Sequence, residues 1–329
     1  MNSLARGAAG RRRRHSPALR APGWFGVAVL ATLASSGVAA GATTLAAFGV
    51  ESAAAGVYVH YGQQSEMTPA NAGDVANMGF IVGERCVAVI DTGGTRAVGL
   101  ALREAIRRVT AAPVCYVINT HVHPDHVFGN QAFVDDHPEY VGHARLAEAM
   151  RRRGPNYLRA LLRDVGAPAE GTTLVLPTLV VADTMRLDLG GRILDLRAWP
   201  TAHTDTDLTV FDEATRTLWL GDLLFVGHIP VVDGSLQGFI GVIDELKAIP
   251  ARQAIPGHGR TDTWRTALDA EESYLVQLRA DVRTALAARR SLAQAVDTVG
   301  YDASAGWLLA DRFHKRNVTA AYAELEWTQ

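Results

Sequence analysis

The segment His121-Val122-His123-Pro124-Asp125-His126 places four metal-competent side chains in six residues, directly after the continuous apolar run Val114–Ile118. Any fold this chain adopts must bring that cluster to the end of a buried strand. On extended backbone, residues i and i+2 point the same way, so His121 and His123 share a side. A turn at Pro124 then carries Asp125 and His126 round to the same cavity. Imidazole and carboxylate together suit zinc, and they also serve iron and manganese. Two metals can be served, but the cluster cannot fill two coordination spheres alone, so further ligands are expected at other strand ends. His203 follows the strand ending near Ala198, Asp222 follows Thr217–Leu220, and His258 follows Ala254-Ile255. Each terminates an apolar run.

The surrounding pattern predicts strands at Val57–Tyr61, Phe80–Val82 and Cys86–Ile90, the last two joined as a hairpin at Gly83-Glu84. Asp91-Thr92-Gly93-Gly94 then turns the chain sharply. A helix over Ala97–Val109, with Val98, Leu102 and Ile106 at helical spacing, completes a βαβ unit with Val114–Ile118. Such a unit implies a sheet covered on both faces, with its site at the strands' C-terminal ends. Arg145–Arg163 reads as two helices broken at Gly154-Pro155. Leu174–Val181 opens a second strand series, continued by Leu187–Leu189, Arg192–Ala198, Asp207–Phe211 and Thr217–Leu220. From Thr263 onward the pattern is helical. The expected fold is α/β (α+β), a four-layer αββα sandwich over 57–262 with a helical C-terminal extension over 263–329.

Composition narrows the function classes. With 329 residues, 48% hydrophobic content and a formal charge of −2, the chain has material for a large core and no basic field to gather nucleic acid. Arg6 and Arg11–Arg14 precede a stretch, Ala21–Val50, without a charged residue. This pattern predicts an export signal over 1–40, cleaved near the small residues Val38-Ala39-Ala40, followed by a linker over 41–56. An uncleaved membrane anchor is the alternative, and either way the body would lie in the periplasm or be otherwise exported. Cys86 and Cys115 both sit in strand-like runs and read as core residues; export permits a disulfide, but spacing does not decide whether they pair.

The series HxHxDH, AHT, GD and PGHG, preceded by DTGG, resembles the metallo-β-lactamase superfamily over roughly Val57–Arg260. The resemblance implies that His121, His123 and His203 hold a first zinc ion, that Asp125, His126 and His258 hold a second, and that Asp222 bridges both. Asp91 would brace the ligand loop from outside the coordination sphere. Gly221–Phe225 is closer to the glyoxalase II type than to the antibiotic-degrading members. The segments HVHPDHVFGN, AHTDTDL and GDLLFVGHIPVVDGS resemble, more specifically, the exported quinoprotein relay system zinc metallohydrolases, associated with periplasmic enzymes that use pyrroloquinoline quinone. The expected activity is hydrolysis of a small-molecule ester, thioester, lactone or related bond by water bridging two zinc ions, with Asp125 and Asp222 as catalytic residues. His228, six residues past Asp222, is either a substrate contact or a structurally hydrogen-bonded histidine, and Asn77, Lys315, Asn317 and Tyr322 stand the same way. The alternatives are a mononuclear iron enzyme resembling the persulfide dioxygenases, and a metal-holding envelope protein without turnover. His60, His137, His143 and His314 have no ligand-like setting.

Overall fold

The computed structural model describes residues 48–327, so the expected signal segment and its cleavage position lie outside the described residues. One sheet runs β1 (Glu51–Ala54), β2 (Val57–His60), β3 (Met78–Val82), β4 (Val87–Ile90), β5 (Val114–Ile118), β6 (Glu139–His143) and β7 (Leu179–Val181) in spatial order. Its first four strands pair antiparallel, and β4 through β7 are parallel. The crossover from β4 to β5 is α1 (Arg96–Val109), capped by the Thr95 hydroxyl, which accepts from the Val98 N–H. After β5 come the short α2 (Pro124–Val127), a 3₁₀ stretch over Phe128–Asp136, and α3 (Leu146–Asp164).

The other sheet contains β8 (Thr184–Asp188), β9 (Ile193–Ala198), β10 (Leu208–Asp212), β11 (Thr217–Phe225) and β12 (Gln253–His258). All its pairs are antiparallel except β11 with β12, which α4 (Leu236–Ala248) connects in parallel. The C-terminal helices are α5 (Trp264–Ala287), α6 (Leu292–Thr298), α7 (Tyr301–Ser304) and α8 (Ala310–Glu326). Among the described residues no helix is long and apolar enough to cross a membrane.

Three apolar layers define the stack. Val57, Ile81, Ile90 and Ile118 of the first sheet meet Leu194, Leu196, Val210 and Trp219 of the second. Phe80 and Val89, on the first sheet's other face, pack against Val98, Leu102 and Ile106 of α1. Leu218 and Leu220 pack against Phe239, Ile243, Leu275, Leu278 and Val318. This is the expected αββα order. Each fully buried Leu, Ile or Phe contributes about 1.5–3 kcal/mol relative to exposure, so the tail helices are integral to the second sheet's core.

Two local expectations need correction. Gly154-Pro155 does not break the chain into two helices; α3 is continuous, with Pro155 inside it. Leu146, Ala149 and Met150 before the proline and Leu161 after it enter one apolar cluster, and that shared burial outweighs the roughly 3 kcal/mol a helical proline costs. The strand after Leu174 does not open the second sheet, because β7 pairs parallel with β6 as an edge of the first. Its three residues carry too little pattern to say which sheet they join.

Cys86 and Cys115 form a disulfide, their Cα atoms 5.7 Å apart at the N-terminal ends of the adjacent strands β4 and β5. The bond closes a loop of 29 residues, for which chain-entropy arguments give about 2–4 kcal/mol of stabilisation. Reduction under native conditions is therefore expected to lower the urea midpoint by a corresponding amount without changing the far-ultraviolet circular dichroism; an unchanged midpoint would show that the bond contributes nothing.

Candidate metal centre

Asp91, the first residue past β4, has a φ of 53°, a left-handed conformation uncommon for a residue with a Cβ. The conformation is stabilised by what the carboxylate does. It accepts from the Thr120 N–H at 2.8 Å, from the Thr120 hydroxyl at 2.7 Å and from His126 Nδ1 at 2.8 Å. Three donors thus tie the loop after β5 to the end of β4, and the bond to Nδ1 leaves His126 Nε2 facing away from Asp91.

The other histidines are oriented in the same manner. His203 Nδ1 donates to Val231 O at 2.7 Å, and His258 Nδ1 donates to Val75 O at 2.9 Å. His121 Nδ1 lies 3.0 Å from the Thr120 hydroxyl. His123 is turned the other way, its Nε2 donating to Asp233 Oδ2 at 3.0 Å. In each case one ring nitrogen is engaged by the protein and the other points to the common centre.

Those inward atoms form two groups, each with its members within 4.8 Å of one another: His121, His123, His203 and Asp222, and then Asp125, His126 and His258. Asp222, inside β11, lies between them. Its Oδ2 is 3.6 Å from His121 Nε2 and 3.4 Å from His203 Nε2. Its Oδ1 is 3.2 Å from His126 Nε2 and 3.5 Å from His258 Nε2. Asp125 Oδ2 completes the second group at 3.4 Å from His258 Nε2 and 3.7 Å from His126 Nε2. Gly257 in β12 permits this approach, since a Cβ there would stand 1.9 Å from Asp222 Oδ1.

Donor chemistry tests whether such a centre fits cations. His121 Nε2, His126 Nε2 and Asp222 Oδ1 are buried without a hydrogen-bond partner, and a buried polar atom left unpaired costs about 1–3 kcal/mol. His123 Nδ1 and His203 Nε2 lie 3.0 Å apart; with both opposite nitrogens donating, two lone pairs face each other, which only a positive charge relieves. The electrostatics agree. Burial pulls His258 down, but Asp222 and Asp125 outweigh it and raise its pKa to about 9. Burial likewise opposes charge on His126, yet Asp222, Asp91 and Asp125 lift it well above the ordinary range. His203, for which burial dominates, falls to about 4. Burial would raise Asp222, but His258, His126 and His121 hold it well below the usual carboxylate range. The residues fit bound metal cations.

All seven side chains nominated as ligands converge, and Asp91 lies against their loop as expected. His228 lines the cavity above them, its ring 5.0 Å from that of His258. Burial, then the neighbouring His258, lowers its pKa to about 4. Of the residues left open with it, Asn317 and Tyr322 are buried and bond to backbone carbonyls, and Asn77 ties the loop before β3 to Pro256 O and Gly259 O at 2.8 Å each. His60, His137, His143 and His314 stand outside both groups. Sequence reasoning did not single out Asp233, which touches His123 and pairs with Arg153, nor Asp207. The Asp207 carboxylate accepts from the Thr204 N–H and hydroxyl, fixing the loop next to His203, and burial pushes its pKa up to about 7. Nothing local marks Asp233, whose partners lie 110 and 80 residues away, whereas Asp207 bonds to Thr204 only three residues before it, a local Thr-x-x-Asp turn that could have signalled it.

A family model described as the metallo-beta-lactamase superfamily matches residues 72–273. No curated protein matches the chain. Among solved structures, the chain is similar to the stereoselective inverting sec-alkylsulfatase Pisa1 from Pseudomonas sp., with a TM-score of 0.65 and 18% identity, over 83% of this chain and 49% of that one. It thus spans about half the length of the alkylsulfatase. It is also similar to a metallo-beta-lactamase from Pontibacter korlensis, with a TM-score of 0.53 and 17% identity, over 68% of this chain and 97% of that one. At these identities the likeness is one of fold.

Proposed function

The chain belongs to the metallo-beta-lactamase superfamily, and from that premise we propose that it is an exported dinuclear zinc metallohydrolase, acting on an ester, thioester, lactone or related bond as an accessory to a periplasmic quinoprotein system. The observation that carries the reading is the position of Asp222, one carboxylate oxygen turned to each ligand group. His121, His123, His203 and Asp222 would hold one zinc, and Asp125, His126, His258 and Asp222 the other. Bound there, the pair supplies an activated water near neutral pH and Lewis-acid polarisation of the scissile bond.

The chain's own residues do the remaining work. Asp91, Val231 O and Val75 O fix the ring orientations of His126, His203 and His258, so the site is set before substrate arrives. Asp125 lines the cavity; it is the carboxylate placed to orient the attacking water and carry its proton to the leaving group. Phe225, stacked on His258 with ring centroids 5.3 Å apart, keeps bulk water from that side. Export is supported by the N-terminal sequence and by the disulfide, a bond characteristic of oxidising compartments. The quinoprotein association is supported by the segments over His121–Asn130, Ala202–Leu208 and Gly221–Ser235.

Metal analysis of the purified protein, with an ester, thioester and lactone panel, tests this function. Two zinc ions per chain and metal-dependent turnover are expected. One iron per chain would instead favour the oxygen-chemistry reading, and metal without turnover a metal-holding protein. His123→Ala is expected to lose metal and activity together; a variant that keeps both refutes the ligand assignment.

A further inference from the structure

Above the ligand groups the cavity opens to about 1090 Å³ between α3 and α8. On the α3 side the lining includes Tyr157, Ala160, Leu161 and, just past the helix, Val165, with Arg163 and Asp164 between them; on the α8 side it includes Phe313, Ala320 and Ala323, with Arg312, Arg316 and Thr319 among them. Both sides carry an apolar strip interleaved with polar side chains, and the strip is wide enough to receive an apolar body. The charges of the cleft are nearly all answered. Arg163 pairs with Asp164 at 2.7 Å, Arg312 pairs with Glu66, and Asp233 with Arg153 and His123. Arg316 differs, making no ion pair among the described residues while lining the cavity, its guanidinium 5.8 Å from the Phe313 ring. An aromatic ladder joins that cation to the centre: Phe313 lies 5.3 Å from His228, and His228 lies 5.0 Å from His258.

We propose that the cleft selects substrates whose apolar body ends in an anionic group of carboxylate or sulfonate type, remote from the bond that reacts, and that Arg316 receives this anion. The proposal rests on the hydrolase reading for the reacting end only. The apolar body lies along Phe313 and His228 while the scissile bond reaches the floor of Asp125, Asp222 and His258. A guanidinium beside an aromatic face is a weakly hydrated donor that pairs well with such anions. Arg312, one turn away, does not compete, because Glu66 already neutralises it.

The test compares wild type with Arg316→Gln, both metal-loaded, in two arms. In the binding arm, calorimetric titration with hexane-1-sulfonate and with hexan-1-ol is expected to show about tenfold weaker sulfonate binding in the variant and unchanged alcohol binding. In the kinetic arm, kcat/KM for mono-4-nitrophenyl suberate is expected to fall about tenfold, with little change for 4-nitrophenyl octanoate, and Arg316→Lys should restore part of the loss. Equal sulfonate affinity in wild type and Arg316→Gln, or equal losses on both esters, overturns the proposal. Absence of ester turnover in wild type, with sulfonate selectivity retained, would count against the hydrolase reading and leave the anion site standing. Arg316 is exposed on α8, so an unchanged melting temperature is expected for both variants.

Discussion

Asp222→Ala is expected to empty both halves of the metal centre and to lower kcat by at least about 10³-fold, more than loss of any single histidine. Removing His123 deletes a ligand from one group, whereas Asp222 offers Oδ2 to His121 and His203 and Oδ1 to His126 and His258. Without it, buried imidazoles converge with no carboxylate shared between the groups, and two dications at close range lose the anion that screens their repulsion. Asp222→Asn preserves shape but presents an amide in place of a full negative charge, so an intermediate loss is expected. Elemental analysis gives the metal count independently of any substrate. Full metal content in Asp222→Ala would contradict the shared-ligand geometry even if turnover were lost.

The ligand series was legible because most of its members stand at the ends of apolar runs: His121 and His123 follow β5 and His258 ends β12, whereas Asp222, expected just past a strand ending at Leu220, lies inside β11, which continues to Phe225. Strand ends of two packed sheets have few places to meet, so residues at those ends converge once the layers are right. Val114–Ile118 matched its strand residue for residue for the same reason, being apolar throughout and bounded by Pro113 and Asn119. What stayed hidden depends on distances between segments. The pairing of Cys86 with Cys115 follows from the parallel register of β4 and β5, and no spacing rule contains that register. Strand β1 and helix α4 were also not anticipated. The first is a four-residue exposed edge, and the second begins within what reads as a Gly-bounded loop, at Ser235, whose side chain caps it by accepting from the Gly238 N–H.

Asn317→Leu is expected to destabilise the fold by roughly 3–5 kcal/mol and, through it, to weaken metal binding. Asn317 is fully buried on α8. Its Nδ2 donates to Pro230 O at 2.7 Å and to the Tyr274 hydroxyl at 2.9 Å, and its Oδ1 accepts from the Val232 N–H at 3.0 Å. Leucine keeps the branched outline at a larger volume but strands a buried carbonyl and a buried N–H, each costing about 1–3 kcal/mol, and weakens the bonding of the tyrosine. The segment so held also carries Val231 O, which fixes His203, and Asp233, which fixes His123. The buried Asn317 amide is therefore one route by which the C-terminal helices reach the candidate metal centre, and outer-shell losses of this kind typically lower metal affinity by 10–100-fold. Lys315→Ala, an exposed change on the same helix, serves as the control and should alter neither the urea midpoint nor zinc affinity. If Asn317→Leu unfolds at a lower urea concentration while its folded form binds zinc as tightly as wild type, the tail stabilises the second sheet's core and plays no part in orienting the ligands.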